Sequence, residues 1–347
     1  MPPTVLIITN HHDSHADRVV RELHRRDVPV FRFHPADFPH ACSVSLEIHD
    51  GRLDGEIRNA YHRVVLSDVC AAWFRRSRNM YRDRIDPTSE KLVDYVKAQC
   101  AATLNALCEG LRTLWVGHPH LLRRAEVKAL QLTEASKAGL QTPKTLISND
   151  PARVAAFVEA LGDKRCALKP HFGLGVTDER GYHLPFTTIL PPGYLLESAA
   201  LAPTIFQPYV EKAVELRCVV IGEKIYAAKM NTQANEITRI DWRAGAREHE
   251  IFDLPEQVKA SIRRLVASFG LNFASIDLIL TPEGEFVFLD LNPNGQWLWL
   301  ELKLGLPLSA AMADLLTTNY TREAQASAYA NPDEADLSGQ GEAAHAS

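Results

Sequence analysis

The chain has 347 residues, of which 46% are hydrophobic and 23% charged, and its formal net charge is -5. This length predicts two or three modest domains, and the composition is ordinary for a folded protein. The acidic balance gives no global positive field for nucleic acid, and no apolar run reaches the ~18 residues of a membrane span, so neither is an expected partner. Six scattered cysteines without a Cys-x-x-Cys pair predict reduced thiols in a cytoplasmic protein.

The N-terminal third, residues 1–118, predicts a small α/β domain. A buried strand over 4–10, a helix over 15–26 and a strand over 28–33 follow the β-α-β order of a parallel sheet. A hairpin around Asp50-Gly51, a strand over 71–76, a long helix over 89–111 and a strand over 113–116 complete the domain, and Pro119 marks its boundary.

The remaining residues are predicted to contain both helices and strands. We predict helices over 124–138, from a cap at Asn149 or Asp150, over 255–269 and over 308–316. Strands are predicted over 145–147, 166–169, 205–210, 216–221 and 224–229. These elements form a central domain, residues 119–205, and a C-terminal domain, residues 206–324. The tail over 325–347 is rich in Ala, Ser, Glu and Gly and is predicted to be disordered.

Residues 275–292 predict a hairpin that carries a metal site. If Glu283-Gly284 is a two-residue loop, Asp277 lies directly opposite Asp290, and Ser275 lies opposite Asn292. Asp290 and Asn292 share a strand face, so two carboxylates and one amide oxygen converge. Oxygen ligands of this kind suit Mg²⁺, although a pair of half-exposed acids at a sheet end is an equally good interpretation. The residues that then point into a core are Ile276, Leu278, Val287, Leu289 and Leu291.

Two lysines are candidates for holding phosphate. Lys169 ends a buried strand and is followed by a loop containing Gly173 and Gly175, which suits a cover over phosphate oxygens but does not have the P-loop spacing. A plain turn is the alternative interpretation of that loop. Lys128, on the preceding helix, is by itself no more than a surface lysine.

The strand around Gln207, Tyr209 and Val210 is a candidate for binding adenine through backbone groups between apolar walls. Glu215 and Arg217 lie two residues apart on the next strand and therefore share a face. An acid there suits ribose hydroxyls, and an arginine suits a phosphoryl group or a carboxylate. Each of the two is just as consistent with a surface ion pair.

The order of these candidates resembles that of the ATP-grasp superfamily, which holds ATP between two α+β subdomains. The resemblance implies an α/β (α+β) fold with an N-terminal pre-ATP-grasp domain. It also implies that Lys128 and Lys169 contact the phosphates of ATP, and that Asp277, Asp290 and Asn292 bind Mg²⁺. Asp290 departs from the pattern, because glutamate is the commoner residue there.

Longer runs narrow the resemblance to the ATP-grasp ribosomal peptide maturases, the graspetide synthetases that include the microviridin-type macrocyclases. The runs that carry it are Trp73-Phe74-Arg75-Arg76, Asp241-Trp242-Arg243 and 288–301, which contains Asn292-Pro293-Asn294-Gly295-Gln296-Trp297. The similarity covers residues 4 to about 318. Packing of the C-terminal helix is the alternative interpretation of the tryptophans in the last run.

What the resemblance implies is a macrocyclase that acts on a precursor peptide with a leader and a core. ATP phosphorylates a core Asp or Glu carboxylate, and a Thr or Ser hydroxyl or a Lys amine then attacks to form an ω-ester or ω-amide. Arg217 and Arg243, with Lys169, are the candidates for steadying the acyl phosphate, and Asp241 and Arg243 for recognising the core. Members of the family are commonly homodimers. The alternatives are an ATP-grasp ligase of amino acids or small peptides, and a non-catalytic nucleotide- or peptide-binding homologue.

Overall fold

The computed structural model describes residues 3–75, 90–171, 176–178, 181–183, 187–191, 196–230 and 249–318. The chain divides into two compact units, residues 1–116 together with 309–347, and residues 117–308. No helix within these described ranges is both long and apolar enough to cross a membrane.

The first unit contains a parallel sheet of four strands in the order β2-β1-β6-β7 and an antiparallel sheet in the order β3-β4-β5. The strands are β1 (Thr4–Ile8), β2 (Val30–Phe33), β3 (Cys42–His49), β4 (Arg52–Asn59), β5 (Arg63–Val65), β6 (Val69–Phe74) and β7 (Leu114–Val116). The helices are α1 (Ser14–His24) and α2 (Glu90–Gly110), with short 3-10 turns at Pro35–Asp37 and Leu66–Asp68.

The predicted β-α-β opening is confirmed. Val5, Leu6, Ile7 and Ile8 are all buried, as expected of a parallel strand covered on both faces. Helix α1 begins after Asp13, whose carboxylate accepts the N–H groups of His15 and Ala16. Hydrophobic residues of α2 pack in the same core as β1 and both sheets.

The end of β6 is fastened to the start of α1 by a buried ion pair. Arg75 is 1% exposed, and its Nε lies 2.9 Å from Oδ2 of Asp13, which also accepts the Thr9 hydroxyl at 2.7 Å. Burial alone would raise the pKa of Asp13, but the hydrogen bonds from His15 and Thr9 and the charge of Arg75 outweigh it and lower that pKa well below its usual range. The run that begins at Trp73 is thus part of the framework as far as Arg75; Arg76 lies outside the described residues.

The second unit contains two antiparallel sheets with the orders β12-β9-β13-β8 and β16-β15-β14-β17-β18, and the small hairpin β10-β11. The strands are β8 (Leu146–Ser148), β9 (Cys166–Lys169), β10 (Val176–Asp178), β11 (Gly181–His183), β12 (Thr188–Ile189), β13 (Thr204–Pro208), β14 (Val214–Ile221), β15 (Lys224–Met230), β16 (His249–Ile251), β17 (Phe273–Leu280) and β18 (Phe286–Asn292). The helices are α3 (Pro119–Ala125), α4 (Lys128–Lys137), α5 (Pro151–Glu159), α6 (Glu256–Ser268) and α7 (Leu298–Leu304), with a 3-10 turn at Leu196–Leu201. The final helix, α8 (Leu308–Leu316), belongs from Ser309 onward to the first unit, within which its Asp314 pairs with Arg26 at 2.8 Å.

One predicted helix is wrong: the stretch 124–138 forms two helices, α3 and α4. The break falls at Val127, whose backbone is extended at the start of α4. The carbonyl of Ala125 instead accepts the side-chain amide of Gln131. The helix predicted from Asn149 or Asp150 is capped by Asp150. The predicted disordered tail lies outside the described residues.

Each sheet of the second unit has one apolar face and one face with polar candidates. Phe206 pairs with Leu168, and both pack in a core with residues of α5. Lys169 and Gln207 alternate with them and so project from the opposite face. In the five-stranded sheet, Arg217 is paired with Asp277, and Glu215 lies two residues before it on the same face of a strand whose other residues are apolar. This alternation presents the charged candidate residues on one face of each of these two sheets.

Candidate active site

The two carboxylates of the predicted metal hairpin are brought together by β17 and β18. Asp277 is paired with Asp290, and Ser275 with Asn292, so the predicted opposition is confirmed. Directly opposed residues of an antiparallel pair project to the same face, about 5 Å apart at Cβ. The face therefore carries two carboxylates and an amide oxygen side by side.

The route to this pairing differs from the prediction. The turn is not the two-residue loop Glu283-Gly284, because Thr281 N–H donates to the Glu285 carbonyl at 2.9 Å, leaving three residues in the loop. Gly284 occupies the left-handed region at φ +87°, as the last position of such a loop requires. The register is thereby shifted by one residue, and a bulge next to Asp277 shifts it back.

The bulge also corrects the predicted core positions of β18. Phe288, not Leu289, is paired with Leu278 and is fully buried, whereas Leu289 is only partly buried. Val287 is paired with Ile279 and therefore lies on the face of Asp277 rather than on the core face. The predicted directions of Leu289 and Val287 are wrong, although Val287 is buried as expected, because a bulge adds a residue that alternation alone does not reveal.

Each carboxylate of the hairpin meets a cation. Arg217 Nη1 lies 2.8 Å from Asp277 Oδ1, and Arg217 Nη2 donates to the Gln296 carbonyl at 3.2 Å. Lys128, at the first position of α4, forms an ion pair with Asp290. Lys128 is therefore not an isolated surface lysine, and charged groups of both signs are concentrated around the hairpin.

The donor set fits Mg²⁺, which prefers a few carboxylate or amide oxygens and completes its shell with water and phosphate. Asn292 Oδ1 accepts the N–H of Asn294 at 3.0 Å, and a carbonyl-type oxygen has a second lone pair for a metal. Within the described ranges no three His, Cys, Asp or Glu side chains form a metal-binding group. The candidate site instead combines two carboxylates, Asp277 and Asp290, with the amide of Asn292.

Lys169, at the end of β9, is surrounded by the same charges. Burial is the largest influence and lowers the pKa of Lys169; Lys128 and Lys212 lower it further, while Asp290 and Glu215 oppose them. Lys128 and Lys212 thus repel the charge of Lys169, and an anionic ligand such as a polyphosphate would relieve that repulsion.

Glu215 is not on the surface but buried in an ion pair. Its Oε2 lies 2.5 Å from Lys212 Nζ, and both side chains are almost fully buried. Sequence reasoning missed Lys212, which belongs to no motif. The signal available was Glu215 itself, since an acid within the apolar strand β14 requires a cation or a hydrogen-bonding ligand nearby.

The candidate adenine segment is held by its own neighbours. Gln207 is buried, and its amide donates to the Thr145 hydroxyl at 2.9 Å. The Tyr209 N–H donates to the Arg165 carbonyl at 2.7 Å, and the Arg165 guanidinium lies 4.2 Å from the centre of the Tyr209 ring. Val210 is partly buried. Adenine binding at this segment stays a prediction.

The turn after β18 packs tightly against the carboxylate face. A Cβ placed on Gly295 would lie 2.5 Å from Ser275 Cβ and 3.0 Å from Arg217 Nη2. Trp297 is fully buried, in keeping with a packing role, and the ring of the partly buried Trp299 lies 4.8 Å from that of His249. Four predicted site residues lie outside the described ranges, namely Gly173, Gly175, Asp241 and Arg243.

The comparisons with known proteins first define a class. A family model for the MvdD pre-ATP grasp domain matches residues 4–123. A probable alpha-L-glutamate ligase from Shewanella denitrificans is 27% identical over 168 residues, which cover 47% of this chain and 54% of that ligase. The chain thus spans about half the length of the curated relatives it matches. By fold, it is an ATP-grasp protein with an N-terminal pre-ATP-grasp domain.

Two solved structures are similar to this chain over most of its length. A RiPP-associated ATP-grasp ligase from Chryseobacterium gregarium, in complex with ADP and a leader and core peptide, is 26% identical, with a TM-score of 0.85 over 91% of this chain and 96% of that one. The macrocyclase MdnC from Microcystis aeruginosa, bound to precursor peptide MdnA, is 28% identical, with a TM-score of 0.80 over 90% and 99%. The resemblance to ribosomal peptide maturases is therefore confirmed.

Proposed function

We propose that this chain is an ATP-dependent, ADP-forming ligase that activates Asp or Glu side chains of a ribosomal precursor peptide and joins them to Thr or Ser hydroxyls or Lys amines. The observation that carries the proposal is the carboxylate pair Asp277 and Asp290, set beside Arg217, Lys128 and Lys169 in an ATP-grasp fold. The similarity to peptide-bound ligases over nine tenths of the chain supports a peptide as the substrate.

In the proposed reaction, a core carboxylate oxygen attacks the γ-phosphorus of ATP, and the bond to the β-phosphate oxygen breaks to release ADP. The hydroxyl or amine then attacks the acyl carbon, loses its proton and expels inorganic phosphate. Such phosphoryl transfer depends mainly on positioning and neutralisation of charge. Lys128 and Lys169 would hold phosphate oxygens, and Arg217 would hold the acyl phosphate.

Mg²⁺ held by Asp277, Asp290 and Asn292 would neutralise charge on the phosphates when bound. Arg243 and Asp241 are proposed to engage the core peptide, and Glu215 the ribose, on the family resemblance. A homodimer is proposed on that resemblance as well, and a cytoplasmic location on the scattered cysteines. The six cysteines are all free thiols in buried positions, which agrees with a reducing compartment.

A second candidate is a ligase of free amino acids or small peptides, which the glutamate-ligase relatives favour. The two are separated by measuring ADP release with a candidate precursor peptide, sought among the genes next to this one, and separately with glutamate and amines. The proposed function predicts ADP release that requires the peptide. ADP release with free amino acids and none with the peptide would replace it with the second candidate.

The same assay tests the carboxylate pair. Asp290→Ala should lower ADP release about a thousandfold, since a metal site contributes several kcal/mol to the transition state. Glu285→Ala is the matched control, because Glu285 is an exposed acid on the same hairpin. It should retain the wild-type rate. Wild-type turnover by a folded Asp290→Ala variant would remove the metal assignment.

A further inference from the structure

Gln131 is a buried amide whose hydrogen bonds all go to backbone atoms. It lies on α4 and is 1% exposed. Its Nε2 donates to the carbonyls of Leu291 at 2.7 Å and Ala125 at 2.6 Å, and its Oε1 accepts the N–H of Leu291 at 3.1 Å. One amide therefore satisfies both backbone groups of a single strand residue.

That residue, Leu291, stands between two of the proposed metal ligands. Asp290 and Asn292 flank it on β18, which is an edge strand of its sheet. Within the described ranges, the other backbone contact on this outer edge is at Gln141, whose carbonyl accepts the N–H of Phe288 at 2.8 Å. By donating to and accepting from the same residue, Gln131 replaces a neighbouring strand at the ligand-bearing end.

The ligand-bearing end of β18 needs such support because its pairing with β17 is interrupted. The bulge at Leu289 lies immediately before Asp290, and a bulge leaves a residue unpaired and bends the strand. Fixing the Leu291 peptide groups fixes the directions in which the side chains on either side project. The same helix presents Lys128, one turn before Gln131, to Asp290.

We propose that Gln131 is a positioning residue that holds Asp290 and Asn292 in the orientation needed to bind a divalent cation together with nucleotide. The proposal rests on the proposed function, in that these residues are taken as the metal ligands. A residue that only stabilised the fold would contribute to stability without affecting metal affinity. Removal of a partner that orients metal ligands typically weakens metal binding 10–100-fold.

The test is the affinity for Mn²⁺, a cation with similar oxygen ligands, in the presence of the non-hydrolysable ATP analogue AMPPNP. Free Mn²⁺ is measured by its electron paramagnetic resonance signal, which requires no turnover. Gln131→Met keeps the size of the side chain but removes its hydrogen bonds, and it should raise the dissociation constant about tenfold. Gln131→Asn, which withdraws the amide by one methylene, should act in the same direction and serves if the Met variant does not fold.

The control for general destabilisation is Asp150→Ala. Asp150 caps α5 in the same unit, by accepting the N–H of Ala152 at 2.9 Å, and it lies outside the hairpin. This variant should lose thermal stability but keep the wild-type Mn²⁺ affinity. Wild-type affinity in a folded Gln131 variant would overturn the positioning role, provided that Asp290→Ala has lost Mn²⁺ binding. Unchanged Mn²⁺ binding in Asp290→Ala would instead overturn the metal site itself.

Discussion

Lys169 is the residue whose surroundings bear most directly on phosphate binding. Burial, with Lys128 and Lys212 adding to it, lowers the pKa of its amine below the ~10.4 of an ordinary lysine, against the opposing charges of Asp290 and Glu215. Holding the protonated form therefore costs stability at neutral pH, and this cost disappears as pH rises through the lowered pKa. An anionic phosphate would offset the same cost in the bound state.

We therefore predict that, as pH rises, the affinity for ATP begins to fall at a pH below the one at which an ordinary lysine deprotonates. Lys169→Arg should move this weakening to higher pH, because a guanidinium stays protonated. Isothermal titration calorimetry between about pH 7 and 10 gives the dissociation constant for nucleotide of both proteins. The pKa of ~10.4 of an ordinary lysine is the reference against which the two pH profiles are compared. Identical pH profiles for the wild type and the variant would show that Lys169 does not hold phosphate.

At this scale, strand alternation pointed to Asp277 and Asp290, but their opposition holds only because the bulge in β18 compensates for a loop one residue longer than the sequence suggested. It did not reveal Gln131 or Lys212. Gln131 bonds to backbone groups of Leu291, 160 residues away. Such a contact leaves no trace in local periodicity, since the backbone looks the same at every position.

At the scale of elements, the hairpin β17–β18 and the turn after it set the shape of the carboxylate face. Gly284 and Gly295 offer a matched pair of substitutions there. Gly284 lies in the left-handed region with nothing within 4 Å of an added Cβ, whereas a Cβ on Gly295 would meet Ser275 and Arg217. Backbone strain is thus expected at the first position, and at the second a clash that is severe with Ser275 and milder with the Arg217 guanidinium.

Gly295→Ala should lower the rate of ADP formation by up to about a hundredfold, because the clash with Ser275 pushes away the turn whose Gln296 carbonyl holds Arg217. Gly284→Ala should reduce stability by about 1 kcal/mol and leave the rate unchanged. Steady-state ADP formation and thermal unfolding measure the two effects. The assignment of Arg217 to the reaction fails if Gly295→Ala turns over like the wild type.

The junction of β1, α1 and β6 offers a stability prediction in the first unit. Asp13→Ala should reduce the free energy of unfolding by about 3–5 kcal/mol, because it leaves Arg75 buried without its carboxylate partner. Asp17, which lies on α1 just after Asp13, is the half-exposed ion-pair partner of Arg32 on β2. Asp17→Ala should therefore reduce the free energy of unfolding by less than about 1 kcal/mol. Urea denaturation followed by circular dichroism gives both values.

The pH dependence of that junction has a defined sign. Because the pKa of Asp13 is lowered in the folded protein, its contribution is fully present above the ordinary aspartate pKa of about 3.9 and is lost as pH falls through the lowered value. Asp13→Ala should accordingly lose less stability than the wild type over this acid range. Equal losses in acid would mean that Asp13 does not contribute in this way.

Elements themselves were predictable where a strong local pattern exists. The buried strand β1, helix α6 and the hairpin as a whole follow from apolar runs and periodicity. The break between α3 and α4 did not follow, because no Gly or Pro stands there and it depends on the contact of Gln131 with Ala125. The bulge in β18 likewise depends on the length of a turn that sequence spacing leaves open.

For the whole molecule, the order of the candidates along the chain predicted the ATP-grasp fold, since the fold presents those residues in a fixed sequence. The residues proposed to contact ATP or the peptide were harder to predict from the sequence. Gly173, Gly175, Asp241 and Arg243 stay predictions, as do the boundaries at 118 and 205. The proposed roles of these four residues are contacts with ATP or with a peptide. Such contacts leave no hydrophobic periodicity in the sequence from which they could be predicted.

The most direct test of the central claim is mass spectrometry of a candidate precursor peptide, sought among the genes next to this one, after incubation with the enzyme, ATP and Mg²⁺. Dehydrative cross-linking through an activated carboxylate predicts a loss of about 18 Da for each ring, with one ADP formed per ring. Fragmentation should then locate each link between an Asp or Glu and a Thr, Ser or Lys. A peptide of unchanged mass, recovered alongside ADP made from free amino acids, would contradict the claim.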